Sequence, residues 1–118
     1  MRKYHSIDEI AGFYIIISPP LKMGEKEIPS APLKIKAHPS RACIPIYETF
    51  EIASYFLKTS QMPYKIMTLN EFLDAKLMTK QTLSRFLFVV FDKIAMNEYT
   101  SGKLNSEDAF ARHLAHIE

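Results

Sequence analysis

Glycine is scarce in this chain: three residues in 118, isolated at Gly12, Gly24 and Gly102. A phosphate-cradling loop or a dinucleotide fingerprint needs several glycines at close fixed spacing, so neither P-loop nor Rossmann-type nucleotide binding is available. Cysteine is scarcer still. Cys43 stands alone, which rules out an internal disulfide and the stapled frameworks of small secreted domains; a reducing, cytoplasmic setting is expected. Neither sign of charge dominates, with 15 basic and 13 acidic residues and a net charge of +2, so charge alone selects neither nucleic acid nor an anionic membrane. Long apolar runs are missing too. Phe13 to Ile17 is about a quarter of the roughly 20 residues a spanning helix needs. Arg2 and Lys3 are followed by Ser6, Asp8 and Glu9 where the apolar core of an export signal would begin, so no such signal is expected.

What is present is a globular composition, 47% hydrophobic and 24% charged, at a length that buries a core without disulfides or a structural metal. A single α+β domain over 1–118 is expected. Ser6 and Glu9 have the spacing of a capping box and predict a short helix through Ala11. Phe13 to Ile17 is β-branched and aromatic, closed by Pro19-Pro20, and reads as a buried strand. Five of the seven prolines lie between Pro19 and Pro39, so 19–32 is expected to be loop. Leu33 to Ala37 alternates apolar with basic as an edge strand does. Ala42 to Tyr47 reads as another strand, which Pro45 pushes toward an edge, a bulge or the strand's end.

Thr49 caps a helix from Phe50 to Thr59, striped by Ile52, Ala53, Phe56 and Leu57. A strand over Tyr64 to Met67 runs into a second capping box, Thr68 and Glu71, whose helix should fade around Met78 to Lys80. The unbroken apolar run Phe86 to Phe91 suits a core strand covered on both faces. A short extended piece near Asn97 to Thr100, a turn at Ser101-Gly102, and a last helix capped by Asn105 or Ser106 complete the reading. That helix would bury Phe110, Leu114 and Ile117. The expected architecture is a mixed sheet of about five strands packed against about three helices.

Chemistry needs nucleophiles, acids, bases or ligands held together. His113 and His116 are three apart on the expected last helix, a spacing that can set two imidazoles on one metal, but no acidic or Cys ligand is paired with them. Cys43 with His38 invites a thiolate–imidazole pair, although Cys43 falls in an apolar strand. Asp92 follows the core strand, where α/β active sites gather, and a turn role competes with a catalytic one. From Leu21 to Arg41 five basic residues, including Lys34, Lys36 and Arg41, face two acidic ones, a solvated basic loop or a shallow phosphate-binding face. Tyr47, Tyr55, Tyr64 and Tyr99 sit at element ends, where half-exposed rings anchor interfaces or pack core edges.

Two runs, Ile44-Pro45-Ile46-Tyr47-Glu48-Thr49-Phe50-Glu51-Ile52-Ala53 and Tyr64-Lys65-Ile66-Met67-Thr68-Leu69-Asn70-Glu71-Phe72-Leu73, resemble a family of small bacterial domains of unknown function. Its members end a strand in Pro-x-Trp-Pro-His before a helix and later carry a Leu-x-Glu-Phe-Leu helix. Tyr47, Ala53, Leu69, Glu71, Phe72 and Leu73 match that pattern, whereas Glu48 and Thr49 stand where the family has Pro-His, so that pair's role does not transfer. The stretch from Ala42 to Leu114 is also similar to the N-terminal domain of the enhanced-serine-sensitivity proteins. The resemblance implies a strand, helix, strand, helix order and no known catalysis.

The favoured reading is a non-catalytic protein-interaction or regulatory module without a cofactor. It would meet a partner protein through the Pro-rich loop and the rim around Tyr47, Tyr55 and Tyr64. A nucleic-acid-associated protein using Lys34, Lys36 and Arg41 is one alternative, and a small hydrolase or transferase centred on Cys43 or Asp92 is another.

Overall fold

The apolar run near residue 90 forms the middle of the molecule. In the computed structural model, which describes residues 2–4, 6–59 and 63–117, strand β7 (Leu87–Phe91) is buried at every position. Its neighbour β5 (Cys43–Tyr47) is buried throughout as well, and the two pair in parallel from Cys43 opposite Leu87 to Tyr47 opposite Phe91. Around them lie β1 (Arg2–Tyr4), β2 (Tyr14–Ile17), β6 (Lys65–Thr68) and β8 (Leu114–Ile117), in the order β1-β8-β7-β5-β2-β6. The sheet is mixed: β1 runs parallel to β8, while β2 runs antiparallel to both β5 and β6, and β8 to β7. The protein is an α+β fold, with six described strands in the main sheet where sequence reading expects five.

Alternation along the central strands makes two apolar faces. On one, Ile44, Ile46, Phe88 and Val90 pack with Leu69 and Phe72 of α2 (Leu69–Asp74), Leu83 of α3 (Lys80–Leu83), and Ile7 and Ile10 of a 3₁₀ turn (Ile7–Ile10). On the other, Cys43, Tyr47, Leu87, Val89 and Phe91 pack with Ala53 of α1 (Phe50–Thr59) and Ala95 of α4 (Lys93–Thr100). Phe110 of α5 (Glu107–Ala111) joins this second face. Burying such side chains on both faces is worth roughly 1.5–3 kcal/mol apiece.

Pro45 lies in the centre of the sheet, not at an edge, and the local pairing explains how. Cys43 directs both its N–H and its C=O to Ile35, so the alternate residues of β5, Pro45 among them, turn their backbone groups to that side and not to β7. Between that bridge and the pairing of Ile15 with Ile46, the missing N–H of Pro45 disrupts no ladder bond to β7.

The same bridge corrects the reading of Leu33 to Ala37. These residues make only isolated bridges, Ile17 with Pro32 and Ile35 with Cys43, so they form a strap wedged between β2 and β5. Nor is 19–32 simply a loop. Strands β3 (Leu21–Met23) and β4 (Lys26–Ile28) pair as a hairpin. Gly24, at φ 66, takes the first turn position with the positive φ that a two-residue hairpin of the II′ class requires.

Three further expectations are corrected. Asn97 to Thr100 belongs to α4, because the Asp92 carboxylate accepts a bond of 2.9 Å from the Ala95 N–H and starts a helix. The C-terminal helix stops at Ala111, and Leu114–Ile117 is β8. Without it the second edge of buried β7 would hold unpaired backbone groups; Phe88 pairs with Ala115 and Val89 with Leu114. The Thr68–Glu71 capping box forms as expected, but α2 ends at Asp74 and the chain reverses at Lys76, in the left-handed region at φ 57. A new cap at Thr79 then opens α3.

Candidate functional site

The aromatic side chains of the second face do not close on one another completely. They line a half-open cavity of about 450 Å³, within the range of roughly 300–1,000 Å³ typical of small-molecule sites. Its floor is the sheet itself: Ile16 of β2, Pro45 and Tyr47 of β5, and Phe91 of β7, all buried. Phe56 and Leu57 of α1 form one half-buried wall, Tyr99 of α4 and Phe110 of α5 a second. Leu33 and Ile35 of the strap and Tyr64 ahead of β6 complete the lining.

The rings are held by one another. Tyr47 stacks on Phe91 at 5.3 Å between centroids and 19° between planes, and Phe56 leans on both Phe91 and Tyr99 at 4.7 Å. Such pairs are worth about 0.5–1.5 kcal/mol beyond burial. Among the described residues no lysine, arginine, histidine or carboxylate lines the cavity. Its chemistry is therefore apolar surface plus three phenols. Tyr47 is 2% exposed, and among the described residues its hydroxyl makes no hydrogen bond. Burial first, and the neighbouring Tyr99 second, hold that phenol well above the ordinary tyrosine value, so it keeps its proton.

The cavity gathers Tyr47, Tyr64 and Tyr99 but not the other residues singled out from sequence. Tyr55 lies outside it, 41% exposed and edge-on to Phe56 and Tyr99. Lys34 and Lys36 are exposed and alternate with the cavity-lining Leu33 and Ile35; the Lys34 ammonium sits 5.4 Å from the centroid of the Phe86 ring. Arg41 donates to the Arg85 carbonyl at 2.6 Å. Cys43 is fully buried, its Sγ 3.6 Å from the Arg41 carbonyl oxygen, and the His38 ring accepts instead from the Ser40 N–H. Asp92 caps α4. His113 lies in the turn before β8 and His116 within the strand, so the two imidazoles do not share the helix that sequence reading expects.

Sequence reading placed Phe56, Phe91 and Phe110 in helix stripes or the core strand without joining them. The signal that links them is register: Tyr47 and Phe91 are directly opposed across the parallel pair, and α1 follows β5 after two residues. The Pro-rich segment carries a separate apolar surface, where Leu21, Met23 and Ile28 lie exposed on one side of the hairpin.

A polar cluster borders the sheet at the start of β8. Glu98 receives a 2.8 Å bond from the Nε2–H of buried His113 and a 3.2 Å bond from Arg112. The His113 bond first, and the Arg112 charge with it, hold the Glu98 carboxyl below its ordinary value of 4.5. The folded state thus binds this proton less readily than the unfolded chain, so the contribution is complete above the ordinary value and is lost as pH falls through the lowered one. Glu98→Gln should flatten the dependence of urea midpoints on pH below 4.5; parallel curves for variant and wild type would show that the cluster carries no such linkage.

No family model, curated protein or solved structure matches the chain. Among the described residues no helix is long and apolar enough to cross a membrane.

Proposed function

We propose that the protein is a non-catalytic interaction or regulatory module of the cytoplasm that works by holding a neutral apolar group in the aromatic cavity. The observation that carries this reading is the cavity itself: about 450 Å³, floored by the central sheet and lined, among the described residues, without a charged side chain. A preformed concave apolar site with a few polar groups is the usual geometry of recognition. Tyr64 and the exposed Tyr55 give its surroundings half-exposed rings for a partner protein.

The two alternatives draw less support from the geometry. Lys34 and Lys36 project beside the strap while Arg41 serves the Arg85 carbonyl, so the three basic groups are not gathered on a built phosphate site. Cys43 is sealed in the core, and the Asp92 carboxylate is engaged at a helix start.

The test is titration with the neutral fluorophore N-phenylnaphthylamine, whose emission rises in apolar surroundings. Saturable one-to-one binding is expected, and Leu57→Trp or Leu33→Trp, each filling the cavity from a different wall, should abolish it while far-UV circular dichroism stays unchanged. Binding that survives both substitutions, or no binding to the wild type, rejects the reading.

A further inference from the structure

Building on the reading of the cavity as a recognition site, we infer that its occupant is a small neutral molecule. It has an apolar body and one hydrogen-bond-accepting oxygen that meets the Tyr47 hydroxyl. Volume argues for a whole molecule over one side chain of a partner. An apolar cavity of roughly 150 Å³ takes a single benzene-sized ring, and about 450 Å³ is room for about three such rings or an acyl chain of similar bulk. One inserted side chain would leave most of the space unfilled and forfeit contacts along the remaining walls.

Neutrality follows from the lining. A cationic ligand would need ring faces turned toward it, with acidic help nearby. Here Tyr47 and Phe91 stack face to face with Phe56 tilted against both, and among the described residues no carboxylate lines the space. Among the described lining residues an anion would meet no basic side chain and would be desolvated without compensation.

The acceptor oxygen follows from Tyr47. Its side chain is almost wholly buried, lines the cavity and forms no hydrogen bond among the described residues. A phenol O–H on an otherwise buried ring takes an acceptor, from the protein, from water or from a ligand. Water can serve while the cavity is unliganded, but a ligand that displaces the water must reproduce its bond or lose affinity. A ketone, ester, ether or amide oxygen does so, whereas a plain hydrocarbon does not.

The experiment compares two neutral probes on the full chain: prodan, a naphthyl ketone, and its ketone-free parent dimethylaminonaphthalene. Both should bind the wild type. Tyr47→Phe removes only the hydroxyl, and a melting curve checks that the fold is kept. This variant should weaken prodan about three- to tenfold, the worth of one neutral hydrogen bond, and leave the parent compound unchanged. Equal effects on both probes, or none on either, would falsify the assignment of the acceptor while leaving the cavity reading intact. Failure of both probes to bind the wild type would instead remove the cavity reading on which it rests. A short peptide with a single phenylalanine that binds as tightly as prodan would overturn the small-molecule assignment in favour of a protein side chain.

Discussion

Phe88→Ala should lower the stability of the fold by about 3–5 kcal/mol, a third or more of the roughly 5–15 kcal/mol that holds a domain of this kind together. Phe88 has no solvent exposure and lies in β7, opposite Ile44 on one side and Ala115 on the other. Its ring belongs to the apolar layer that includes Ile10, Leu69, Phe72 and Leu83. These neighbours are anchored in three different elements, and the residue across the antiparallel pair is an alanine, too small to fill the gap. Little collapse is therefore available, and the loss should approach the upper end of the range. Urea unfolding at neutral pH measures it. Phe50→Ala, at a residue 53% exposed, is the comparison, with an expected loss under about 1 kcal/mol. A Phe88→Ala loss as small as that would mean that β7 is not the centre of the core. Because Phe88 faces away from the aromatic cavity, the folded fraction of Phe88→Ala should still bind a cavity probe.

How much of this was legible beforehand follows a physical division. Local signals were readable where side chains act within three or four residues. Thr68 and Glu71 form the capping box that their spacing announces, Thr49 accepts from the Ile52 N–H, and the continuous run through Phe88 is a buried central strand. Where the deciding partner is distant, the local pattern misleads. Phe110, Leu114 and Ile117 fit a helical stripe, but Leu114 and Ala115 also alternate between faces, and the unpaired edge of β7 selects the strand. Pro45 argues for an edge until the strap is seen, with Ile35 taking the neighbouring backbone bonds of Cys43. The early end of α2 had no glycine to mark it, because Lys76 adopts the left-handed turn itself. The cavity was the least legible feature. Its tyrosines could be named, but the four floor positions come from three strands whose order depends on pairings across the whole chain.

Asp92→Ala should cost about 0.5–2 kcal/mol, the usual loss when a helix loses its N-cap, while Asp92→Asn should stay close to wild type. The carboxylate lies just beyond β7 in extended conformation and accepts the Ala95 N–H at 2.9 Å, one of the donors that a helix start leaves without an internal partner. The consequence reaches further than one turn. Ala95 packs fully buried on the sheet, and α4 carries both Tyr99, a wall of the cavity, and Glu98, the partner of Arg112 and His113. Fraying the first turn of α4 therefore loosens the helix that carries that wall, and Asp92→Ala should weaken a neutral cavity probe as well as the fold. An asparagine carbonyl accepts the same bond, so Asp92→Asn keeps both. Urea midpoints and probe titrations on the two variants provide the check. If the asparagine variant loses as much stability as the alanine one, the negative charge rather than the cap bond is what matters at this position.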